Sequence, residues 1–424
     1  MLSPPRQPPA SAHPDQSGPP PAREKAQPKV ASGRGALGGL PKVAVLLLGG
    51  LLSACGASYA GDVVGGSPLA EPRWAQSLPT GAGPSALALL DLDDDGRSDV
   101  AVANSVDGTV SLYLQRGGQL EAGQTYPVGR GPSAIAALHL DDDSRLDLLV
   151  ANAADGTLST LLSKGQPAGA FAPGPQLATD ETPSTLGVGD VNGDGISDVL
   201  VGCIGAESIV VLENKRQGGL LTKLSTLPGL TSVRGLSLLP LDASQPSRLD
   251  LAVARADREE ITLLENDGRG AFAASAKSLR LPMGSTPVAL VAGNLDGDAQ
   301  GRSDLAVLDH SLGDLLLAQG LASGQFQVSS YHVGEKPSAL ALGQLDSDPR
   351  PELAFTDPSG ERVGTLPGSS DGKASPLPVT YYGTPGLPAA LAISDLDDDG
   401  IGEILVLSRA DGLLRVISPQ RPRL

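Results

Sequence analysis

Aromatic residues and histidines are scarce in this chain of 424 residues. Aromatics make up 3% of the sequence, with one Trp, six Tyr and four Phe, and there are four histidines. Sugar sites usually offer aromatic platforms, so this composition argues against a multivalent lectin. No G-x-S-x-G elbow, H-E-x-x-H helix or phosphate-cradling glycine loop occurs. We therefore expect no catalytic residues and no enzyme activity.

Positive charge is also in short supply. The chain has 31 Lys and Arg against 48 Asp and Glu, which gives a formal net charge of −17. Nucleic-acid binding needs clustered basic residues, so a nucleic-acid partner is not expected. Much of the acidity lies in short acidic loops, and two of them, DLDDDGRSD from Asp91 and DLDDDGIGE from Asp395, alone hold ten carboxylates. Their carboxylates would repel one another unless cations neutralise them.

The chain has two cysteines, in different contexts. Cys203 lies in the apolar strand DVLVGC, where a cysteine is usually a small buried hydrophobe. Cys55 follows an apolar run, 43–54, that is too short to span a bilayer but suits a secretory signal. The residues LSAC at 52–55 resemble the lipobox of bacterial lipoproteins, which implies cleavage before Cys55 and lipidation of Cys55. The alternative is a plain secretory signal with an incidental cysteine.

Four regions follow from composition. Residues 1–41 are rich in Pro, Ser, Ala and Gly and are expected to be a disordered leader or the product of a mis-assigned start codon. Residues 42–55 form the lipoprotein signal, and residues 56–70 form a flexible tether. Residues 71–420 carry an internal repeat. We expect an exported protein of the bacterial cell envelope, either an outer-membrane lipoprotein or a protein of the cell surface.

The repeat unit spans roughly 50 residues and occurs seven times. The units start near residues 84, 132, 183, 233, 287, 337 and 388. Each has an aliphatic strand, an acidic loop and a second, uniformly apolar strand, as in PSALALLDLDDDGRSDVAVAN from Pro84. In the first unit an Asp-Gly turn at 107–108 leads to a third strand near 109–114, and a fourth follows near 121–128.

Four strands per unit, repeated seven times, predict an all-β fold, a seven-bladed β-propeller of four-stranded blades. The seventh unit ends after its third strand, and residues near 74–80 precede the first unit. The N-terminal strand is therefore predicted to complete the last blade and close the ring. A linear solenoid is the alternative, although it would leave a long exposed edge.

The acidic loops place oxygen ligands at positions 1, 3, 5 and 9, with glycine at position 6. Calcium takes six to eight oxygen ligands, so this pattern predicts calcium sites. Three loops match fully: Asp91, Asp93, Asp95 and Asp99; Asp190, Asn192, Asp194 and Asp198; Asp395, Asp397, Asp399 and Glu403. Two match less well: Asn294, Asp296, Asp298 and Asp304 in a lengthened loop; Asp346, Asp348 and Glu352 after Gln344, with Pro349 in place of glycine. The second loop begins with His139 and the fourth with Pro240, and the fourth has lost the site.

The loops, the Pro-Ser-aliphatic strands and tails such as VANSVDGTV resemble FG-GAP/VCBS-type repeat proteins, relatives of the integrin α-subunit propeller. The resemblance covers residues 71–420. It implies peripheral calcium sites, with a backbone carbonyl at position 7 as a further ligand, here from Arg97, Ile196 and Ile401. The side chain of Arg97 is expected to point to solvent. Three to five structural calcium ions are predicted.

The expected function is that of an exported, membrane-anchored, calcium-stabilised module that binds or scaffolds a protein or glycan. The alternative is a hydrolase or lyase with an active site on the propeller face. A third hypothesis is a self-associating envelope component.

Overall fold

The computed structural model describes residues 73–419 apart from 180–181, 205, 207, 276, 298–301, 322–324, 349 and 369–378. The leader, the signal segment with Cys55, the tether and Asp298 therefore lie outside the described residues. Among the described residues, no helix is long and apolar enough to span a bilayer.

Seven antiparallel sheets follow one another along the chain. The strands of the first blade are β2 (Pro84–Leu90), β3 (Asp99–Asn104), β4 (Thr109–Arg116) and β5 (Gln119–Pro127). Those of the second are β6 (Pro132–Leu138), β7 (Asp147–Asn152), β8 (Thr157–Ser163) and β9 (Phe171–Ala178). Those of the third are β10 (Thr182–Gly189), β11 (Asp198–Ile204), β12 (Ser208–Asn214) and β13 (Leu221–Pro228).

The remaining blades repeat this order, with one outer strand in two pieces. The strands of the fourth blade are β14 (Val233–Leu239), β15 (Asp250–Arg255), β16 (Glu260–Asn266) and the outer pieces β17 (Phe272–Ala274) and β18 (Leu279–Arg280). Those of the fifth are β19 (Pro287–Gly293), β20 (Asp304–Asp309), β21 (Asp314–Gly320) and β22 (Phe326–His332). Those of the sixth are β23 (Ala339–Gly343), β24 (Glu352–Asp357), β25 (Arg362–Leu366) and β26 (Thr380–Gly383), with a short 3₁₀ turn at Pro358–Gly360.

The seventh blade is built from both ends of the described chain. Its strands are β27 (Pro388–Ser394), β28 (Glu403–Ser408), β29 (Leu413–Ser418) and, on the outside, β1 (Arg73–Pro79). β1 pairs antiparallel with β29, from Arg73 opposite Ser418 to Pro79 opposite Leu413. The first strands of successive blades contact one another, and β27 contacts β2. The predicted seven-bladed ring and its closure by the N-terminal strand are confirmed, and the solenoid alternative is wrong.

Apolar packing between blades forms the core. The second strand of each blade, such as β3 or β28, is buried at nearly every position because both of its faces lie against neighbouring sheets. One cluster joins the first and last blades, with Leu87, Val100 and Leu405 fully buried and Leu78 of β1 packed against them. The uniformly apolar second strands seen in the sequence follow from this two-sided burial.

The recurrent Pro-Ser start has a structural role at the centre of the ring. Ser85 Oγ donates a hydrogen bond to the carbonyl of Pro132, the first residue of the next blade, at 2.7 Å. Ser133 Oγ donates to the carbonyl of Pro183, also at 2.7 Å. The serine of one inner strand thus binds the first residue of the next inner strand. The Pro-Ser motif recurs because it makes this contact between blades.

We expect ring closure to depend on β1. A chain that begins at residue 81 lacks the partner of β29, whereas a chain that begins at residue 71 keeps it. Each net hydrogen bond contributes about 0.5–1.5 kcal/mol, so the shorter chain should lose several kcal/mol and associate through the exposed edge. Thermal unfolding and size-exclusion chromatography measure both effects. Equal melting temperatures for the two chains would contradict the closure.

Candidate metal centres in the blade loops

An acidic residue occupies position 9 of five loops and the equivalent place, two residues later, in the longer fourth and fifth loops, and in every case it is buried; we call this place position 9 throughout. The seven residues are Asp99, Asp147, Asp198, Asp250, Asp304, Glu352 and Glu403. In the first blade the amide of Leu92 donates to Asp99 Oδ2 at 2.7 Å, and the amide of Gln115 donates to Asp99 Oδ1 at 2.6 Å. The carboxylate therefore fastens the loop to the end of the third strand.

Blades that have lost other metal ligands keep this arrangement. In the second blade, Asp147 accepts from the amides of Leu140 at 2.7 Å and Ser163 at 2.8 Å. In the fourth, Asp250 accepts from the amides of Leu241 at 2.9 Å and Asn266 at 2.8 Å. From the sequence, the acid at position 9 was interpreted only as a metal ligand. Its presence in every loop, including those that lack other ligands, was the feature that could have indicated its role as an acceptor for backbone amides.

Burial changes the acidity of these carboxyl groups. Desolvation, together with the nearby loop carboxylates, raises the pKa of Asp99 and that of Asp198 to about 6. The amide hydrogen bonds act in the opposite direction. Burial also raises the pKa of Asp304 and of Glu403. Protons and cations therefore compete for the same carboxylates.

The three fully matching loops share one backbone conformation. Position 6 has a left-handed φ at Gly96 (84°), Gly195 (82°) and Gly400 (87°), a region where glycine has no steric penalty. Position 4 is also left-handed, with φ values of 60°, 81° and 58° at Asp94, Gly193 and Asp398.

Two hydrogen bonds hold that conformation. In the first loop the amide of Gly96 donates to Asp91 Oδ2 at 2.7 Å, and the amide of Arg97 donates to Asp95 Oδ1 at 2.9 Å. The third and seventh loops repeat both bonds at 2.8–2.9 Å. The carboxylates at positions 1 and 5 thus accept backbone amides of their own loop and hold its turn in place.

Three groups of carboxylates have ligand atoms within 4.8 Å of one another. They are Asp91, Asp93 and Asp99; Asp346, Asp348 and Glu352; Asp395, Asp397 and Asp399. In the first and the seventh loop, three of the four predicted side-chain ligands thus lie close together, and Asp95 and Glu403 are not among them. The sixth loop, which the sequence ranked lower, is gathered as well. The third loop is not among these groups in the described part of the chain, and Asn192 Nδ2 there donates to Asp194 Oδ2 at 3.2 Å.

The first loop contains a buried acceptor without a donor. Asp93 Oδ1 is buried and has no hydrogen-bond partner among the described residues. Leaving a buried acceptor unsatisfied costs about 1–3 kcal/mol. A divalent cation between Asp91, Asp93 and Asp99 would satisfy it, and an all-oxygen ligand set is the kind that calcium prefers. The residues present therefore fit a hard divalent cation.

Arginine side chains lie close to several loops. Arg116 Nη1 pairs with Asp93 Oδ2 and lies 3.8 Å from Asp95 Oδ2. Arg97 was expected to point to solvent, and this is wrong, because its Nη2 lies 2.7 Å from Asp95 Oδ2. The concentrated negative charge of the loop attracts the guanidinium back. Arg145 and Arg350 pair with the position-5 aspartates of loops two and six at 2.7 and 3.3 Å.

The second and fourth loops use their remaining polar groups internally. His139 Nδ1 lies 2.7 Å from the carbonyl of Arg145, so the residues at positions 1 and 7 engage each other. Asp242 Oδ1 accepts from the amide and the hydroxyl of Ser244 at 2.9 and 2.7 Å. These contacts make a turn without a cation.

Comparison with known proteins agrees with the geometry. Residues 91–150 and 139–201 match the FG-GAP-like repeat family. These matches, which cover residues 91–201, and the seven-bladed ring together support an FG-GAP repeat β-propeller. No curated protein matches the chain.

Solved structures share the fold at low sequence identity. BBS1N, crystallised in complex with ARL6DN, is 16% identical with a TM-score of 0.58, over 84% of this chain and 100% of that chain. Virginiamycin B lyase from Staphylococcus aureus is 14% identical with a TM-score of 0.55, over 81% and 99%. Raptor from Chaetomium thermophilum is 13% identical with a TM-score of 0.56, over 84% of this chain and 29% of its own. Such similarity shows the fold alone.

The described histidines do not form one group. His139 contacts Arg145 in the second blade, and His310 Nδ1 lies 3.2 Å from the carbonyl of Pro337. His332 is exposed and lies 3.1 Å from Asp314 Oδ1.

The pair Tyr381-Tyr382 lies in β26, and Tyr381 packs edge-on against Phe355 with ring centroids 6.1 Å apart.

The structural role of position 9 can be tested in the second blade. Asp147→Ala would leave the buried amides of Leu140 and Ser163 without acceptors, which should cost about 1–3 kcal/mol for each. Asp142→Ala in the same loop changes an exposed carboxylate and should leave stability unchanged. Urea unfolding in excess chelator measures both variants. Equal stability of the two variants would disprove the role.

Proposed function

We propose that this propeller is an exported, membrane-anchored interaction scaffold whose blades are stabilised by calcium. The observation that carries the calcium proposal is the first loop, where three carboxylates converge and Asp93 Oδ1 lacks a donor. Calcium bound there would join the end of one strand to the start of the next. Extracellular calcium modules have dissociation constants of about 10⁻⁴–10⁻³ M, which suits a protein outside the cytoplasm.

The seventh loop has a particular place in this proposal. It belongs to the blade made from both chain ends, and it borders the first blade across the closing seam. Gln115 Nε2 donates to the carbonyl of Leu396, and a Cβ on Gly118 would lie 3.1 Å from Asp397 Cβ. A cation held by Asp395, Asp397 and Asp399 would therefore stabilise the seam at which the ring closes.

The scaffolding role rests on the fold and the repeat family. β-Propellers with FG-GAP repeats present rigid loops on two faces, and BBS1N was crystallised with a protein partner. The partner of this chain is proposed to be a protein or a glycan. A lyase on the propeller face is the second candidate, and the similarity to virginiamycin B lyase favours it at the level of fold. The separated histidines favour the scaffold.

Membrane anchoring rests on the sequence at residues 42–55. We expect Cys55→Ser to release the protein from the membrane fraction, because the variant cannot be acylated. Metabolic labelling with a fatty-acid analogue should mark the unaltered chain and not the variant. Cys203→Ser is the matched control and should retain both label and membrane association. An unlabelled, soluble wild-type protein would refute the anchor.

Calcium should raise thermal stability in proportion to the number of sites. With dissociation constants of about 10⁻⁴–10⁻³ M, about 10 mM calcium adds about 1.4–2.7 kcal/mol per site. Asp397→Asn combined with Asp399→Asn should remove the contribution of the seventh loop to the calcium-induced stabilisation. Asp242→Asn, in the loop that has lost its site, should leave the calcium response intact. The readout is the melting temperature with calcium and with chelator, and an equal calcium response in both variants would argue against the site.

The calcium response should also depend on pH. The raised pKa of Asp99 and of Asp198 means that the folded state binds more protons than the unfolded state between about pH 4 and pH 6. The chelated protein should therefore gain stability from these groups as the pH falls through this window. Protonation competes with calcium, so the calcium-induced rise in melting temperature should be smaller at about pH 5 than at about pH 7.5. A calcium response that grows on acidification would contradict this.

A further inference from the structure

In the described part of the chain, three seams between blades are bridged by a side chain at the end of the third strand. Asn214 Nδ2 donates to the carbonyl of His139 in the preceding blade at 2.8 Å. Asn266 Nδ2 donates in the same way to the carbonyl of Val191, at 2.8 Å. Gln115 makes the equivalent bond across the closing seam. Each of these residues follows the position-9 acid by sixteen residues and fills the space beside the preceding loop.

The fifth blade has Gly320 at this place. Its amide still donates to Asp304 Oδ1 at 2.8 Å, but no side chain reaches back to the fourth blade. A Cβ on Gly320 would lie 2.6 Å from the carbonyl oxygen of Ser303, so the local backbone excludes a larger residue. A cleft of about 510 Å³ lies at this seam between blades four and five, and Gly320 is among the residues that line it.

The cleft adjoins the loop of the fourth blade, which has lost its metal ligands. Pro240 and Ser244 stand at positions 1 and 5, where the metal loops have carboxylates. Three cationic side chains line the cleft instead, those of Arg248, Lys277 and Arg302. On a protein with a net charge of −17 this is a local concentration of positive charge.

The two acidic residues of the cleft are engaged within the protein. Asp242 accepts from Ser244 and from Gln245 Nε2 at 3.0 Å, and Glu265 accepts from Ser275 Oγ at 2.8 Å. Arg248 Nε lies 3.7 Å from Asp250 Oδ1 and makes no hydrogen bond among the described residues, while Arg248 Nη1 donates to Gln245 Oε1 at 3.3 Å. The Lys277 ammonium has no ion-pair partner among the described residues. The guanidinium of Arg248 and the ammonium of Lys277 therefore retain hydrogen-bond donors that a ligand could use.

We propose that the cleft between blades four and five binds a small organic anion, a carboxylate or phosphate attached to an apolar body. Arg248 and Lys277 would bind the anionic group, since guanidinium and ammonium form charge-assisted hydrogen bonds with such oxygens. Arg302 donates from Nε to the carbonyl of Gly320 at 2.9 Å, which holds it at the cleft wall. Leu241 and Phe326 supply an apolar surface for the rest of the ligand. The volume lies within the range of about 300–1,000 Å³ that is typical of ligand pockets.

Isothermal titration calorimetry on the full chain tests this proposal with three probes of one shape: benzoate, phenyl phosphate and neutral benzamide. We expect saturable binding of at least one anion and none of benzamide. Arg248→Glu combined with Lys277→Glu should weaken anion binding by at least about tenfold. Arg269→Glu is the matched control, because Arg269 is exposed in the same blade but does not line the cleft. A preference for benzoate or for phenyl phosphate would identify the anionic group.

A second variant covers the case in which the double charge reversal unfolds the protein. Ala243 is exposed and lines the cleft, so Ala243→Trp should occupy the space without changing a charge. It should retain the wild-type melting temperature and lose anion binding. The proposal is overturned if neither anion binds, if benzamide binds as tightly as the anions, or if Ala243→Trp binds them as the wild type does.

Discussion

The buried carboxylate at position 9 is the interaction on which every blade depends. It accepts an amide of its own loop in all seven blades and an amide at the end of the third strand in the first six, as Asp99 does with Leu92 and Gln115. In the seventh blade, where Pro419 has no amide hydrogen, Ser418 Oγ lies 3.5 Å from Glu403 Oε1 instead. A buried carboxylate is unfavourable unless it is hydrogen-bonded, and an amide left without its acceptor is also costly. The position is therefore constrained in all seven blades, whether or not a metal binds there. The rest of the loop is built on this anchor.

The proposed calcium sites use the same buried carboxylate at position 9. The position-9 acid offers its carboxylate to both the backbone and the cation, while positions 1, 3 and 5 supply the remaining oxygens. Blades whose loops depart from this pattern keep the position-9 bond, as in the second blade, with His139 at position 1, and the fourth blade, with Pro240 and Ser244 at positions 1 and 5. The seventh loop couples this chemistry to ring closure, since it borders the first blade where the two chain ends meet. In the fourth loop Pro240 and Ser244 replace the carboxylates of positions 1 and 5, and the adjoining cleft is lined by cationic side chains instead.

The repeat pattern was sufficient to predict the blades, their order and the closing strand, because each apolar strand must be buried on both faces. The third strand of the first blade was predicted near 109–114 and is observed at Thr109–Arg116. Contacts that depend on side-chain direction were not predictable. Gln344 Nε2 donates to the carbonyl of Asp346 at 3.0 Å, a contact with the loop backbone that accompanies the gathered carboxylates of the sixth loop. The return of Arg97 to Asp95 and the cleft beside Gly320 also arise from three-dimensional neighbours that a single sequence does not reveal.

A crystal structure of the protein grown with calcium, with the ions located by their anomalous signal, tests the central claim most directly. The account predicts ions in the first and seventh loops, each ligated by the side chains at positions 1, 3 and 5 and by the position-7 carbonyl, with the position-9 acid completing the site. It predicts no ion in the fourth loop. First and seventh loops without ions, in crystals that hold calcium elsewhere on the propeller, would contradict it.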